Sequence, residues 1–159
     1  MKYSCEVEID LSIDRVIELF DNPENLREWQ PALQSFEPLS GKPGYPGAKS
    51  RLKFKIGNRD IEMIETVTVR NLPHEYSGTY DAKGVFNIVK NTFTPISASK
   101  TRFVSDQEFQ FSGFMKAVGL MMPDLFRKTS LQYLENFKAF AEKSSSTLDR
   151  ERDRQELHS

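Results

Sequence analysis

The feature that most restricts how this chain can fold is one long amphipathic stripe near its C-terminus, preceded, from about residue 30 onward, by a succession of strands that no helix interrupts. From Pro123 to Lys143, Phe126, Ser130, Tyr133, Phe137, Phe140 and Ala141 share one side of a helical projection, and Lys128, Gln132, Glu135, Lys138 and Glu142 occupy the other. At the standard rise such a helix runs about 31 Å and crosses a small domain. The residues before it read in period two instead. Adjacent strands joined by short turns imply an antiparallel sheet, and the terminal helix is the only element long enough to cover its face. A sheet curved around that helix is the economical solution.

The strands follow from alternation and from chain breakers. Tyr3, Cys5, Val7, Ile9 and Leu11 alternate with Ser4, Glu6, Glu8 and Asp10, the pattern of a strand with one wet face. Ser12 reads as the cap of a short helix carrying Ile13, Val16, Ile17 and Phe20, and Asn22-Pro23 opens a second that ends near Trp29. A strand over Leu33 to Leu39 leads into a loop with glycines at 41, 44 and 47, which reads as a flexible lid. Leu52, Phe54 and Ile56 alternate into a turn at Gly57-Asn58, and a long strand runs from Asp60 to Arg70. Further strands cover Tyr76 to Tyr80, Val85 to Thr94 and a last stretch in which Phe103, Ser105, Gln107, Phe109 and Phe111 face one way. Pro123 marks a kink or a helix start. The expected class is therefore α+β: about seven antiparallel strands, two short helices after the first, and a long C-terminal helix. Residues 1–143 form one domain, and 144–159 read as a charged, disordered tail, since Ser144 to Ser159 carry almost no apolar side chains.

Composition narrows the function. With 22 basic and 23 acidic residues spread along the chain, no electrostatic footprint for nucleic acid exists. No apolar run has the length of a signal peptide or a membrane span, so a cytoplasmic location is the default expectation. A single cysteine, Cys5, and two histidines, His74 and His158, without ligand partners at metal spacing, leave no basis for a metal site or another cofactor. No serine sits in a nucleophile elbow, and the glycine loop fits neither a dinucleotide fingerprint nor a P-loop. The unusual count is 12 Phe against 1 Trp and 5 Tyr, which suits a core or pocket walled by bulky side chains.

The order of elements, with the segments SIDRVIELFDNPENLREWQPAL, GYPGAKSRLKF and FSGFMKAVGLMMPDLFRKTSLQYLENFKAFAE, resembles the START-like (SRPBCC) superfamily with the helix-grip fold. That group includes birch-pollen-allergen-like proteins and the polyketide cyclase/dehydrase and lipid-transport families. The resemblance covers roughly residues 1–143. It implies a cavity between sheet and last helix, entered near the two short helices, whereas ligand and activity vary within one architecture.

Parity and this resemblance together nominate the cavity wall. On the short helix it includes Trp29; on the strands, Met63, Glu65 and Val67, Tyr76 and Tyr80, Val89, Asn91 and Phe93, then Phe103, Gln107 and Phe109. The final helical region contributes Met122, Phe126, Ser130 and Tyr133, with Phe137 and Phe140 sealing the closed end and Met121 beside Met122 at an adaptable rim. Asn87, Asn91 and Gln107 share the parity of Val89, Phe93 and Phe109 and are candidates to orient a ligand in an apolar pocket. Glu65 is the candidate with most chemistry. It shares a face with Ile61, Met63, Val67 and Val69, where a carboxylate is desolvated and its acid form favoured; the alternatives are a twist or bulge that turns it outward, or a strand whose Ile64, Thr66 and Thr68 face the core instead. Three functions stay open at this point: a carrier of an apolar small molecule; a cyclase or dehydratase moving protons with Glu65 and Tyr76 or Tyr80; and a protein-interaction module. Monomer and homodimer are equally compatible with the sequence.

Overall fold

A computed structural model describes all 159 residues. Strand β1 (Lys2–Ile9) buries Tyr3, Cys5, Val7 and Ile9 and exposes the residues between them. The Ser12 hydroxyl oxygen accepts from the Arg15 N–H at 3.3 Å and caps α1 (Ile13–Phe20), with Asp14 in its first turn against the helix dipole. Asn22 accepts from the Glu24 N–H at 3.0 Å and opens a 3-10 turn, Pro23–Asn25, that runs into the one-turn helix α2 (Leu26–Trp29). Six strands follow: β2 (Leu33–Ser40), β3 (Lys49–Ile56), β4 (Arg59–Asn71), β5 (Glu75–Ala82), β6 (Val85–Ser97) and β7 (Lys100–Phe111). They form one seven-stranded sheet in the order β1-β7-β6-β5-β4-β3-β2, antiparallel throughout. The first strand thus lies beside the last, and β1 and β2 are the edges.

The curvature has a local origin. β4 carries a bulge between Val67 and Val69, and Gly78 of β5 approaches so closely that a Cβ there would stand 2.9 Å from the Thr66 carbonyl oxygen. A bulge and a glycine at one level let two neighbouring strands bend together. The bulge also resets side-chain parity. Val67 is buried, Val69 is 37 % exposed, and Arg70 turns back to the inner side opposite Tyr76. The sequence reading placed Val69 with the inward set; the inserted residue reverses that assignment.

After β7, α3 (Met115–Met121) precedes α4 (Pro123–Leu157). Pro123 is a helix start rather than a kink, at a position where its missing N–H has no helical partner to lose. α4 lies along β1: the Tyr3 hydroxyl and Ser130 Oγ are 2.7 Å apart, and the Asp10 N–H donates to the Glu142 carboxylate at 3.0 Å. Contrary to the expected disordered tail, α4 continues to Leu157. No glycine or proline follows Pro123, and Asp149/Arg152, Arg150/Asp153 and Glu151/Arg154 place opposite charges three residues apart. From Ser146 onward every residue is exposed, so this extension leaves the packed domain as a bare helix.

Apolar packing falls into two clusters. The larger joins β1, α1, Trp29, Phe93 and Phe103 to Leu134, Phe137 and Ala141 of α4; the smaller holds Leu33, Leu52 and Phe54 under β2 to β4. A domain of this size ordinarily has one contiguous core. Here the inner faces of β4 and β5 lie between two.

Candidate functional site

Strand register decides which side chains look toward α4. On β7 and β6 the inward pairs are Phe103 with Phe93, Ser105 with Asn91, Gln107 with Val89 and Phe109 with Asn87. The series continues through Tyr76, Gly78 and Tyr80 of β5 to Arg70, Val67, Glu65 and Met63 of β4.

Aromatic packing closes one end of this concave face. The Phe20 ring lies 5.0 to 6.0 Å from those of Trp29, Tyr76, Phe93, Phe103 and Phe137. Trp29, Phe93 and Phe103, nominated as open wall, are therefore buried members of a filled end. Phe93 and Phe103 stack on each other at 4.7 Å, and Trp29 and Phe103 each meet the Phe137 ring edge-on. At the other end Phe126 lies 5.1 Å from both Phe109 and Phe111, and Tyr3 stacks on Phe109 at 5.9 Å. The hydroxyl of Ser130 is committed to Tyr3, Met63 packs against the smaller cluster, and Met122 is exposed outside the site. Met122 thus leaves the wall, because it is the non-helical link between α3 and α4 and its side chain is exposed there.

Between the two aromatic ends sits a belt of polar groups. The Asn87 amide donates to Gln107 Oε1 at 3.0 Å and to the Glu108 carbonyl at 3.2 Å, and the Gln107 amide donates to Ser105 Oγ at 2.7 Å. Glu65 faces inward between Ser50 and Tyr80, which settles the choice left open by its sequence context; the bulge comes only after it. Glu65 has no ion-pair partner. Burial pushes its carboxyl above the ordinary value of 4.5, with the neighbouring Tyr80 hydroxyl acting the other way. Burial and then the Glu65 charge push the Tyr80 phenol far up, and Tyr76 is raised by the same two causes in the same order. Tyr133, on α4, is raised by burial. A carboxyl so placed can donate to a carbonyl or hydroxyl when protonated and accept from one when ionised, while the phenols remain donors at neutral pH.

Native Glu65 binds its proton more tightly than the unfolded chain does, so between 4.5 and its raised native value the native state holds more protons. This group's contribution to stability is fully present below that window and is lost as pH rises through it. Thermal unfolding of Glu65→Gln should show a shallower decline over that window than the parent protein and a higher Tm above it; parallel curves would refute the assignment.

A contact that sequence reasoning missed holds the rim. Arg70 Nη1 and Nη2 donate to the two Asp21 carboxylate oxygens at 2.8 and 2.6 Å, Nη1 also to the Gly44 carbonyl at 3.1 Å, and the guanidinium lies 4.7 Å over the Tyr45 ring. The Gly47 N–H donates to the Val67 carbonyl, and the Val67 N–H to that of Ala48. The glycine loop is therefore pinned to α1 and β4 and is not the free lid its composition suggested. No local pattern signals this, because the bulge that aims Arg70 inward exists only in the paired strand.

Two surface depressions, about 410 and 380 Å³, lie against β1, β6 and β7 and beside Pro23, Arg27 and Phe36; neither is lined by Glu65 or Tyr80. No three His, Cys, Asp or Glu side chains gather where they could hold a metal ion, and no helix is long and apolar enough to cross a membrane.

The family described as polyketide cyclase / dehydrase and lipid transport matches residues 1–142. No curated protein sequence matches the chain significantly. A START superfamily protein from Mycobacterium smegmatis superposes with a TM-score of 0.75 at 16% identity, covering 89% of this chain and 97% of the other. The Zhui aromatase/cyclase from Streptomyces sp. R1128 gives 0.74 at 15% identity over 90% and 94%. Norcoclaurine synthase from Thalictrum flavum, solved with dopamine and hydroxybenzaldehyde, gives 0.68 at 14% over 88% and 85%. At these identities the likeness is one of fold.

Proposed function

Since this chain belongs to the polyketide cyclase/dehydrase and lipid transport family, we propose that it holds an apolar or aromatic small molecule against the concave face, between the polar belt and α4. The observation that carries this reading is the divided core. Glu65, Tyr76, Tyr80, Asn87 and Asn91 all face inward yet keep accessible surface, and they lie between two buried apolar clusters that share only half-buried Leu26 at their border. An apolar wall with a few fixed polar groups is what a small-molecule site needs: area for affinity and hydrogen bonds for orientation. The Asn87–Gln107–Ser105 chain and the Glu65–Tyr80 pair would supply those hydrogen bonds.

Native mass spectrometry and displacement of an environment-sensitive apolar dye, run against fatty acids and fused-ring polyketides, test it directly. A one-to-one complex with at least one class is expected. Absence of any complex across both classes would defeat the reading.

A second reading has its own support in Glu65, a desolvated carboxyl beside a phenol and without a cation, as a general acid requires. The aromatase/cyclase neighbour makes a polyketone the first substrate class to try. In that case Glu65→Gln loses turnover while retaining ligand; unchanged turnover would remove Glu65 from the chemistry.

A further inference from the structure

The connection between β7 and α4 is apolar on both sides. The inner side of α3 is seated: a Cβ on Gly119 would stand 2.5 Å from the Phe111 ring, and one on Gly84, in the β5–β6 turn, 2.9 Å from Met115. Its outer side has nothing on it. Phe114, Leu120, Met121, Met122 and Leu125 are 48 to 84 % exposed, with Ala117 exposed among them. A helix with apolar side chains on both faces leaves one of them to be covered by something else, and an exposed patch of contiguous large side chains marks a contact surface.

Charge identifies what covers it. Lys116 on α3, Arg127 and Lys128 on the first turns of α4, and Lys83 in the turn that packs on Met115 are all exposed. None of the four is in an ion pair. Asp124 is the one acidic residue between Phe111 and Lys128. A symmetric contact with a second copy would bring these cations toward their own equivalents. An anionic bilayer complements both halves of the surface, taking Phe114, Leu120 and Met121 into its interface while the lysines reach the headgroups.

We propose that α3 and the start of α4 form a peripheral docking surface for an anionic lipid bilayer. The aromatic end of the concave face, Phe109, Phe111 and Phe126, lies directly beneath this surface. Docking therefore sets that end against the lipid, though it stands independently of what the concave face binds.

Co-sedimentation of the full chain with phosphatidylcholine vesicles, with and without a third of phosphatidylglycerol, provides the test. Binding to the anionic vesicles is expected, weakening at least about fivefold for each of Lys116 and Lys128 changed to Glu and at least about tenfold for Leu120→Asp/Met121→Asp. Dye binding by the same variants is read in parallel, and its retention separates docking from ligand uptake. The lysine variants keep the test open should the aspartate pair fail to fold. No sedimentation with anionic vesicles, equal binding by the variants, or a dimer that Leu120→Asp/Met121→Asp converts to monomer would each overturn the proposal.

Discussion

Phe137→Ala is expected to lower the unfolding free energy by about 3–5 kcal/mol. The Phe137 side chain is 0 % exposed, and its ring meets Trp29 at 5.4 Å, Phe20 at 5.7 Å and Phe103 at 5.8 Å, all nearly edge-to-face. Removing it opens a void where three separate elements meet α4: α1, α2 and β7. Those neighbours are rings already held by each other, so the void does not collapse and the cavity penalty adds to the lost transfer energy. A domain of ordinary stability, about 5–15 kcal/mol, would lose a large share of it. Urea unfolding gives the check: the midpoint should fall with the slope unchanged. Phe126→Ala, at the end where rings remain partly accessible, should cost clearly less. Equal losses at the two positions would contradict the distinction between a filled end and an open one.

Asn91→Trp is expected to weaken apolar-ligand binding by on the order of 100-fold while leaving the fold intact. Asn91 lies on β6, an interior strand flanked by β7 and β5, faces α4 between Tyr76 and Ser105, and makes no side-chain hydrogen bond that the change would orphan. An indole there would occupy the space between the two apolar clusters, the volume a ligand needs. Overpacking of a filled interior instead costs about 1–3 kcal/mol. The two measurements therefore discriminate. Lost dye binding with near-parent stability supports an occupied cleft; retained binding, or a stability loss of that size, would mean that the space is already full.

The inward face of Glu65 was legible because β4 pairs without a register shift from Arg59 to Val67, so that Glu65 shares the side of Ile61, Met63 and Val67. Its polar neighbours on β6 and β7 were legible for the same reason. Val69 and Arg70 were not. A bulge after Val67 inverts parity, and whether a residue is extruded depends on the partner strand, here on Gly78 opposite. Trp29, Phe93 and Phe103 had the right direction but the wrong status, since alternation tells which way a ring points and nothing about whether another ring already fills the space.

What the chain's own sequence determined is the set of elements and their wet and dry faces: alternation, capping residues and one apolar stripe are local, and each acts within a turn or two of backbone. Only the tertiary structure decided that Phe20 gathers five rings at one end, that Arg70 reaches Asp21, 49 positions away, and that the core splits around Glu65. Those outcomes depend on which surfaces meet once a bulged sheet bends over α4, and close packing is a property of the assembled faces rather than of any one of them.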